Sequence, residues 1–293
     1  MARFAFSAFA DEAGVSLMEQ IEAMKANDIR YFEPRNIDLI NTINLGEEKL
    51  LEVKKLLDEN GIKVGSLGSP IGKYPIYDDF ETHLEDFKKA LEACKILGTN
   101  KMRMFSFFVE EKDMDEKRDE IIERLKVMVE MAKEYGVQLC HENEARIYGE
   151  MPPRVKDLLD SVPDLYAVFD PANYRLADAD VIEGINVFLT RPSYIHIKDA
   201  IFASKEIVPA GEGEGKIGEI LDIVNEQVDG LVYLTLEPHL KLFDAYKKID
   251  DRELKGKYEF KNNRESFDFA VKALEKVMKD HGYRKDGNAE WIK

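Results

Sequence analysis

The stretch IIERLKVMVEMAKEYGVQLCHENE, residues 121–144, carries two periodicities back to back. Ile121, Ile122, Leu125, Met128 and Met131 recur at the three-to-four spacing of an amphipathic helix, and Gly136 stops it. VQLCHENE then reads as a strand, with Leu139 on one face and Gln138, Cys140 and Glu142 on the other. A helix that runs through a Gly stop into a short strand is half of a βαβ unit. The same theme recurs over roughly the first 240 residues.

Upstream, Ser16 opens a helix with Glu19 three residues on, a capping-box pattern, and leads into IRYFE at 29–33. Helices over about 47–59 and 79–97 feed IKVGSLGS and KMRMFSFF, ending at Asn60-Gly61 and Gly98. Shorter helices near 152–161, 179–188 and 216–227 precede YAVFD, YIHIK and LVYLTLE, and a closing helix spans about 264–281. With FAFSAF at 4–9 counted first, eight strands alternate with eight helices. This predicts a single-domain (β/α)8 TIM barrel over residues 1–283, followed by a frayed polar tail over 284–293. An open doubly wound sheet would want a Gly-rich turn after its first strand, and FADEAGV at 9–15 has none. Residues 199–215 and 238–263 follow strands and are the long loops expected of an active-site face.

The chain has 293 residues, 44% of them hydrophobic and 34% charged, as in a globular protein. Its net charge of −16 repels a phosphate backbone, so nucleic acid is not expected as a partner. No apolar run approaches the ~20 residues of a membrane span, and the first residues make a poor signal peptide, so a cytoplasmic protein without a membrane partner is expected. Cys94 and Cys140 make no disulfide framework and read as small buried apolar residues.

Alternation along the last four strands decides which side chains enter the barrel. Val232, Leu234 and Leu236 face out, leaving Tyr233, Thr235 and Glu237 facing in; Ile195 and Ile197 leave Tyr194, His196 and Lys198. Ala167 and Phe169 face out, and Val168 and Asp170 in. On strand five both Glu142 and Glu144 have inward parity. A carboxylate aimed into a barrel mouth costs several kcal/mol unless paired or metal-bound. Three carboxylates and one imidazole on consecutive strands are best explained by one divalent cation. Oxygen-rich ligation ranks Mn2+ first, with Co2+, Mg2+ and Zn2+ open. Glu33 and Arg35 end strand two and, with Lys198, are candidate substrate contacts. Lys73 and Arg103 read as solvated surface charge, His141 as a core histidine and His239 as a loop residue. Gly211 and Gly213 make only a weak phosphate-cradle pattern.

The runs GVQLCHEN (136–143), VFDPANY (168–174), YIHIKDA (194–200) and LTLEPH (234–239), with AGEGEG at 210–215, resemble the xylose-isomerase-like TIM-barrel superfamily of sugar isomerases and epimerases, over nearly the whole chain. Its ketose 3-epimerase branch is the nearest match. The resemblance implies one metal held by Glu142, Asp170, His196 and Glu237, and it selects Glu142 over Glu144. It also implies that Glu142 and Glu237 act as acid and base on a carbohydrate through an enediolate. Where the family often has a His three residues after the strand-six Asp, this chain has Asn173, a candidate substrate contact and a poor ligand. An inosose dehydratase-like lyase and a non-catalytic sugar-binding barrel are the alternatives. An endonuclease IV-like DNA-repair enzyme ranks last, because five histidines are too few for its three-zinc cluster. Many relatives are dimers or tetramers, which leaves a homo-oligomer open.

Overall fold

The computed structural model describes residues 1–241, 255–256 and 258–293. Among them, nine parallel strand segments make the eight strands of a nearly closed barrel. These are β1 (Ala2–Ala8), β2 (Tyr31–Phe32), β3 in two pieces (Lys63–Val64 and Leu67–Gly68), β4 (Lys101–Met104), β5 (Gln138–Glu142), β6 (Leu165–Phe169), β7 (Pro192–Ile197) and β8 (Gly230–Leu236). β1 pairs with β8 from Ala2↔Gly230 to Ala8↔Leu236, which closes the ring on one side. The first piece of β3 pairs with β2 and the second with β4. The break falls at Gly65, where an added Cβ would meet the Tyr233 ring at 3.2 Å, so bare backbone lets the inward tyrosine fit.

The helices form where the apolar spacing places them: α1 (Leu17–Ala26), α2 (Glu47–Glu59), α3 (Phe80–Leu97), α4 (Met114–Glu134), α5 (Pro152–Ser161), α6 (Val181–Phe188), α7 (Ile217–Gln227) and α8 (Asn263–Asp280). Ser16 and Glu19 make the reciprocal capping box of α1, and Gly98 ends α3 in the left-handed region at φ 74°. A short helix, Pro171–Leu176, was not foreseen. It starts at Asp170, whose carboxylate caps it by accepting from Asn173 N at 2.9 Å. No helix among the described residues is long and apolar enough to cross a membrane.

Strand alternation divides the core in two. The outward residues of β5 to β8, among them Leu139, Phe169, Ile195 and Leu234, join the large cluster under the helices. Cys140, Val168 and Tyr194, flanked by Tyr166 and Tyr233, form a separate cluster inside the barrel. Both cysteines are free and buried. The interior cluster plugs the barrel below the strand ends, so the inward residues one step higher open on the carboxyl-terminal mouth.

Two expectations about loops and ends change. Residues 199–215 form a hairpin (Asp199–Ile201 with Glu206–Val208) and a glycine turn rather than a plain excursion. Most of the 238–263 loop lies outside the described residues. The tail after residue 283 is not frayed. Glu290–Ile292 pairs antiparallel with the lower half of β1, Phe4↔Trp291 and Ala5↔Glu290, while two-residue β2 pairs only with Ser7 and Ala8 above. A short β2 leaves that stretch of β1 an open edge, and the tail covers it. Trp291 is buried and stacks on Phe6 with ring centroids 5.5 Å apart. Trp291→Ala is therefore expected to cost ~3–5 kcal/mol, read as a lower midpoint in chemical denaturation. An unchanged midpoint would mean that the tail does not hold the barrel.

Candidate active site

The register raises four inward side chains into one cluster. Glu142 lies opposite Val168, two residues before Asp170; Phe169, just before Asp170, lies opposite Ile195, just before His196; and Leu236, just before Glu237, lies opposite Ile197. One ligand atom from each of Glu142, Asp170, His196 and Glu237 lies within 4.8 Å of the others, and all four residues are buried. His196 Nδ1 is 3.0 Å from Glu142 Oε1 and 3.5 Å from Glu237 Oε2. Lys198 Nζ bridges Asp170 Oδ2 at 2.8 Å and Glu237 Oε2 at 3.3 Å.

Each glutamate divides its two oxygens the same way. Glu142 gives Oε2 to Arg103 Nη1 at 3.2 Å, and Glu237 gives Oε1 to Arg35 Nη1 at 2.8 Å; the remaining oxygens face His196. Arg35 is anchored in turn by both oxygens of Asp11 at 3.0 Å and lies 3.4 Å from Glu12. Both guanidiniums lie against one buried ring, that of Phe9, at 4.4 Å for Arg35 and 4.8 Å for Arg103. The same ring meets His196 edge-on at 5.1 Å. Asn143 ties the ends of β5 and β6 together, donating to Asp170 O and accepting from Asp170 N, each at 2.9 Å.

Charge and burial set the proton distribution of the metal-free cluster. Burial would strip His196, but the charges of Glu142 and Glu33 and its hydrogen bonds to Glu142 and Glu237 outweigh it and hold the imidazole well above its ordinary value. Burial pushes Asp170 up to about 6 against the pull of Lys198. Glu237, despite burial, is held well below the usual carboxylate range by Lys198, His239 and His196. Glu12 is pushed up to about 8, by burial first and then by Glu237 and Asp11, with Arg35 opposing.

The donor set fits a divalent cation on two grounds. Opposite ligands of a small dication bound at ~2.1 Å stand ~4.2 Å apart, a span that the cluster contains. Among the described residues, six buried carboxylates (Asp11, Glu12, Glu33, Glu142, Asp170 and Glu237) also face three buried permanent cations (Arg35, Arg103 and Lys198), so six minus three leaves three negative charges to be met by protons, a metal ion or other partners.

The remaining expected residues fall as follows. Glu33 and Arg35 both reach the cluster: Glu33 accepts from Tyr194 OH through Oε1 at 2.7 Å, and Arg35 holds Glu237. Asn173 donates from Nδ2 to Asn143 O at 2.8 Å, while its buried Oδ1 has no hydrogen-bond partner among the described residues. Glu144 is not one of the four and pairs with Lys73 at 2.9 Å. Arg103 is no surface charge, because the inward parity of its strand buries it on Glu142. Lys73 is likewise not simply solvated, lying 4.5 Å from the centre of the Phe105 ring as well as on Glu144. His141 is a buried core histidine, with Nε2 2.9 Å from Ser106 Oγ. His239, read as a loop residue, brings Nε2 within 3.3 Å of Glu12 and 3.5 Å of Glu237. Gly211, Gly213 and Gly215 cradle no ligand; their N–H groups, at 2.8–3.0 Å, and that of Ala200 are taken by the carboxylate of Asp199. Asp11, Glu12, Tyr194 and Asn143 were not singled out. Only the acidic pair directly after the first strand could have signalled the first two.

The comparisons agree with the fold. A model of the family described as xylose isomerase-like TIM barrel matches residues 21–254. No curated protein matches the sequence. Similar solved structures include the IolI protein with a bound zinc atom (TM-score 0.71, 17% identity, 95% of this chain and 99% of that one) and D-psicose 3-epimerase in the presence of D-fructose (0.71, 14%, 96% and 99%). The probable 3-DHS dehydratase AsbF of petrobactin synthesis from Bacillus anthracis is also similar (0.70, 16%, 92% and 98%).

A folded-state value of about 8 against 4.5 for a free glutamate keeps a proton on Glu12 that the unfolded chain has lost. His196, raised above 6.5, does the same. The stability these protons contribute is complete at low pH and is lost as pH rises through the folded values. Between pH 6.5 and 8 the metal-free protein should therefore lose stability, at up to ~1.4 kcal/mol per pH unit for each such proton. Glu12→Gln should make the slope shallower in denaturant titrations; an unaltered slope would show that Glu12 carries no such proton.

Proposed function

The chain belongs to the xylose isomerase-like TIM-barrel family, and from that premise we propose that it is a divalent-metal isomerase or epimerase of a sugar or sugar phosphate, with Glu142 and Glu237 as its acid and base. The observation that carries this reading is the matched pair of glutamates on β5 and β8, each steadied by its own buried arginine and each presenting its second oxygen toward His196. An acid and a base fixed on separate walls of one mouth are what two-sided proton transfer needs.

A divalent ion on Glu142, Asp170, His196 and Glu237, Mn2+ ranking first, would polarise a ketose carbonyl and stabilise the negative oxygen of an enediolate. One glutamate removes the proton from the carbon beside that carbonyl. Return of a proton to the same carbon from the other side inverts it and gives the epimer; return to the neighbouring carbon gives the isomer. Lys198 offers the buried donor nearest the cluster for a substrate hydroxyl, and Asn173 Oδ1 an unspent acceptor. Similarity to D-psicose 3-epimerase supports a small carbohydrate substrate, and similarity to IolI with its zinc atom supports the metal.

A second reading, a lyase, draws on Lys198 and on the likeness to the dehydratase AsbF. An ammonium between Asp170 and Glu237 is placed to protonate a departing hydroxyl, and the same enediolate then expels water. Product mass separates the two, since only dehydration loses water.

Ketoses, ketose phosphates and inososes incubated with the Mn2+-loaded protein in D2O should include one whose α-proton exchanges, as read by NMR. Chelation should abolish that exchange and fresh metal restore it. Glu237→Gln should lower it ~10²–10⁴-fold while leaving the circular dichroism spectrum unchanged. A fully active Glu237→Gln protein, or exchange that survives chelation, would overturn the reading.

A further inference from the structure

Glu33 is fully buried at the end of β2, on the other side of the His196 ring from the four-residue cluster. Its Oε1 accepts from Tyr194 OH at 2.7 Å, and that hydroxyl lies 3.0 Å from Ser66 Oγ. Its Oε2 lies 3.5 Å from His196 Nε2, and neither of these two atoms has a hydrogen-bond partner among the described residues. An imidazole that aims its Nδ1 lone pair at a cation carries its proton on Nε2, and a buried N–H without an acceptor costs ~1–3 kcal/mol. Glu33 Oε2 is the acceptor that faces it. Phe9 and Tyr194 pack against the ring at 5.1 and 5.5 Å, so it cannot turn to find another.

We propose that Glu33 is a positioning residue: steadied by Tyr194, it accepts the Nε2 proton of His196 and so fixes the tautomer and ring plane that present Nδ1 to Glu142, Asp170 and Glu237. The inference rests on the metal-centre reading above and gives Glu33 a different task from substrate contact. Carboxylate–histidine–metal arrangements recur in metal sites for this reason, and loss of the outer carboxylate lowers metal affinity.

The experiment uses full-length protein with its histidines 15N-labelled, Zn2+ as a diamagnetic probe, calorimetry for the dissociation constant and 15N–1H NMR for the imidazole. In the wild type the His196 signal should carry its proton on Nε2 once Zn2+ is bound. Glu33→Gln keeps the size and an acceptor for Tyr194, but turns an NH2 group toward an N–H. It should weaken Zn2+ binding ~10–100-fold and displace or abolish that signal. Tyr194→Phe, which leaves the carboxylate in place but loosens it, should act in the same direction with a smaller change, and it serves if Glu33→Gln does not fold. A folded Glu33→Gln protein that binds Zn2+ within twofold of wild type, with the signal unmoved, overturns the proposal. So does a variant that raises KM alone at unchanged metal affinity. A wild type that binds no Zn2+ instead overturns the metal centre itself.

Discussion

Too much negative charge in too little water is the condition on which the mouth of this barrel depends. A buried carboxylate is tolerated only when its charge is met, and among the described residues six of them share three buried permanent cations. Each visible partnership relieves part of that excess: Arg103 with Glu142, Arg35 with Asp11 and Glu237, Lys198 with Asp170. The elevated proton affinities of Glu12 and Asp170 come first from burial and then from neighbouring carboxylates, and that of His196 from the carboxylates around it. Further protons, or a dication among four of these groups, would meet what is left of the excess.

Much of this was legible in the sequence because alternation and strand order are local properties. Leu139 out and Glu142 in, Phe169 out and Asp170 in, need only neighbours two residues apart, and the eightfold helix–strand rhythm supplied the barrel that brings those inward positions together. What alternation could not separate, Glu142 from Glu144, came from family resemblance, and Lys73 supplies a physical account of it by drawing Glu144 aside. The partners stayed hidden because they are long-range. Asp11 and Glu12 read as an acidic turn until Arg35 is set beside them, and Arg103 as one more exposed cation until β4 turns it inward. The tail failed for a related reason: its polar composition suggested solvent, whereas its structure answers a vacancy left on β1 by a strand only two residues long.

The glycines of 210–215 show how one backbone geometry serves opposite ends. A run of N–H groups converging on a point is how proteins hold phosphate, but here the point is occupied by Asp199. Four backbone donors meet that carboxylate, and a Cβ on Gly213 would fall 2.2 Å from its Oδ1. The glycines are needed for close approach to the chain's own anion. The consequence for the site is mechanical, since Asp199 follows Lys198 directly and pinning one limits the travel of the other.

Phe9 places a similar limit on the two glutamates. Arg35 follows β2 and Arg103 lies on β4, and they hold different carboxylates, yet both rest on this one ring, which also touches the imidazole between them. A shift of either guanidinium moves a surface that the other shares, so the distance between the two glutamates is gauged by a single phenyl group. A change at residue 9 reaches both halves of the site at once.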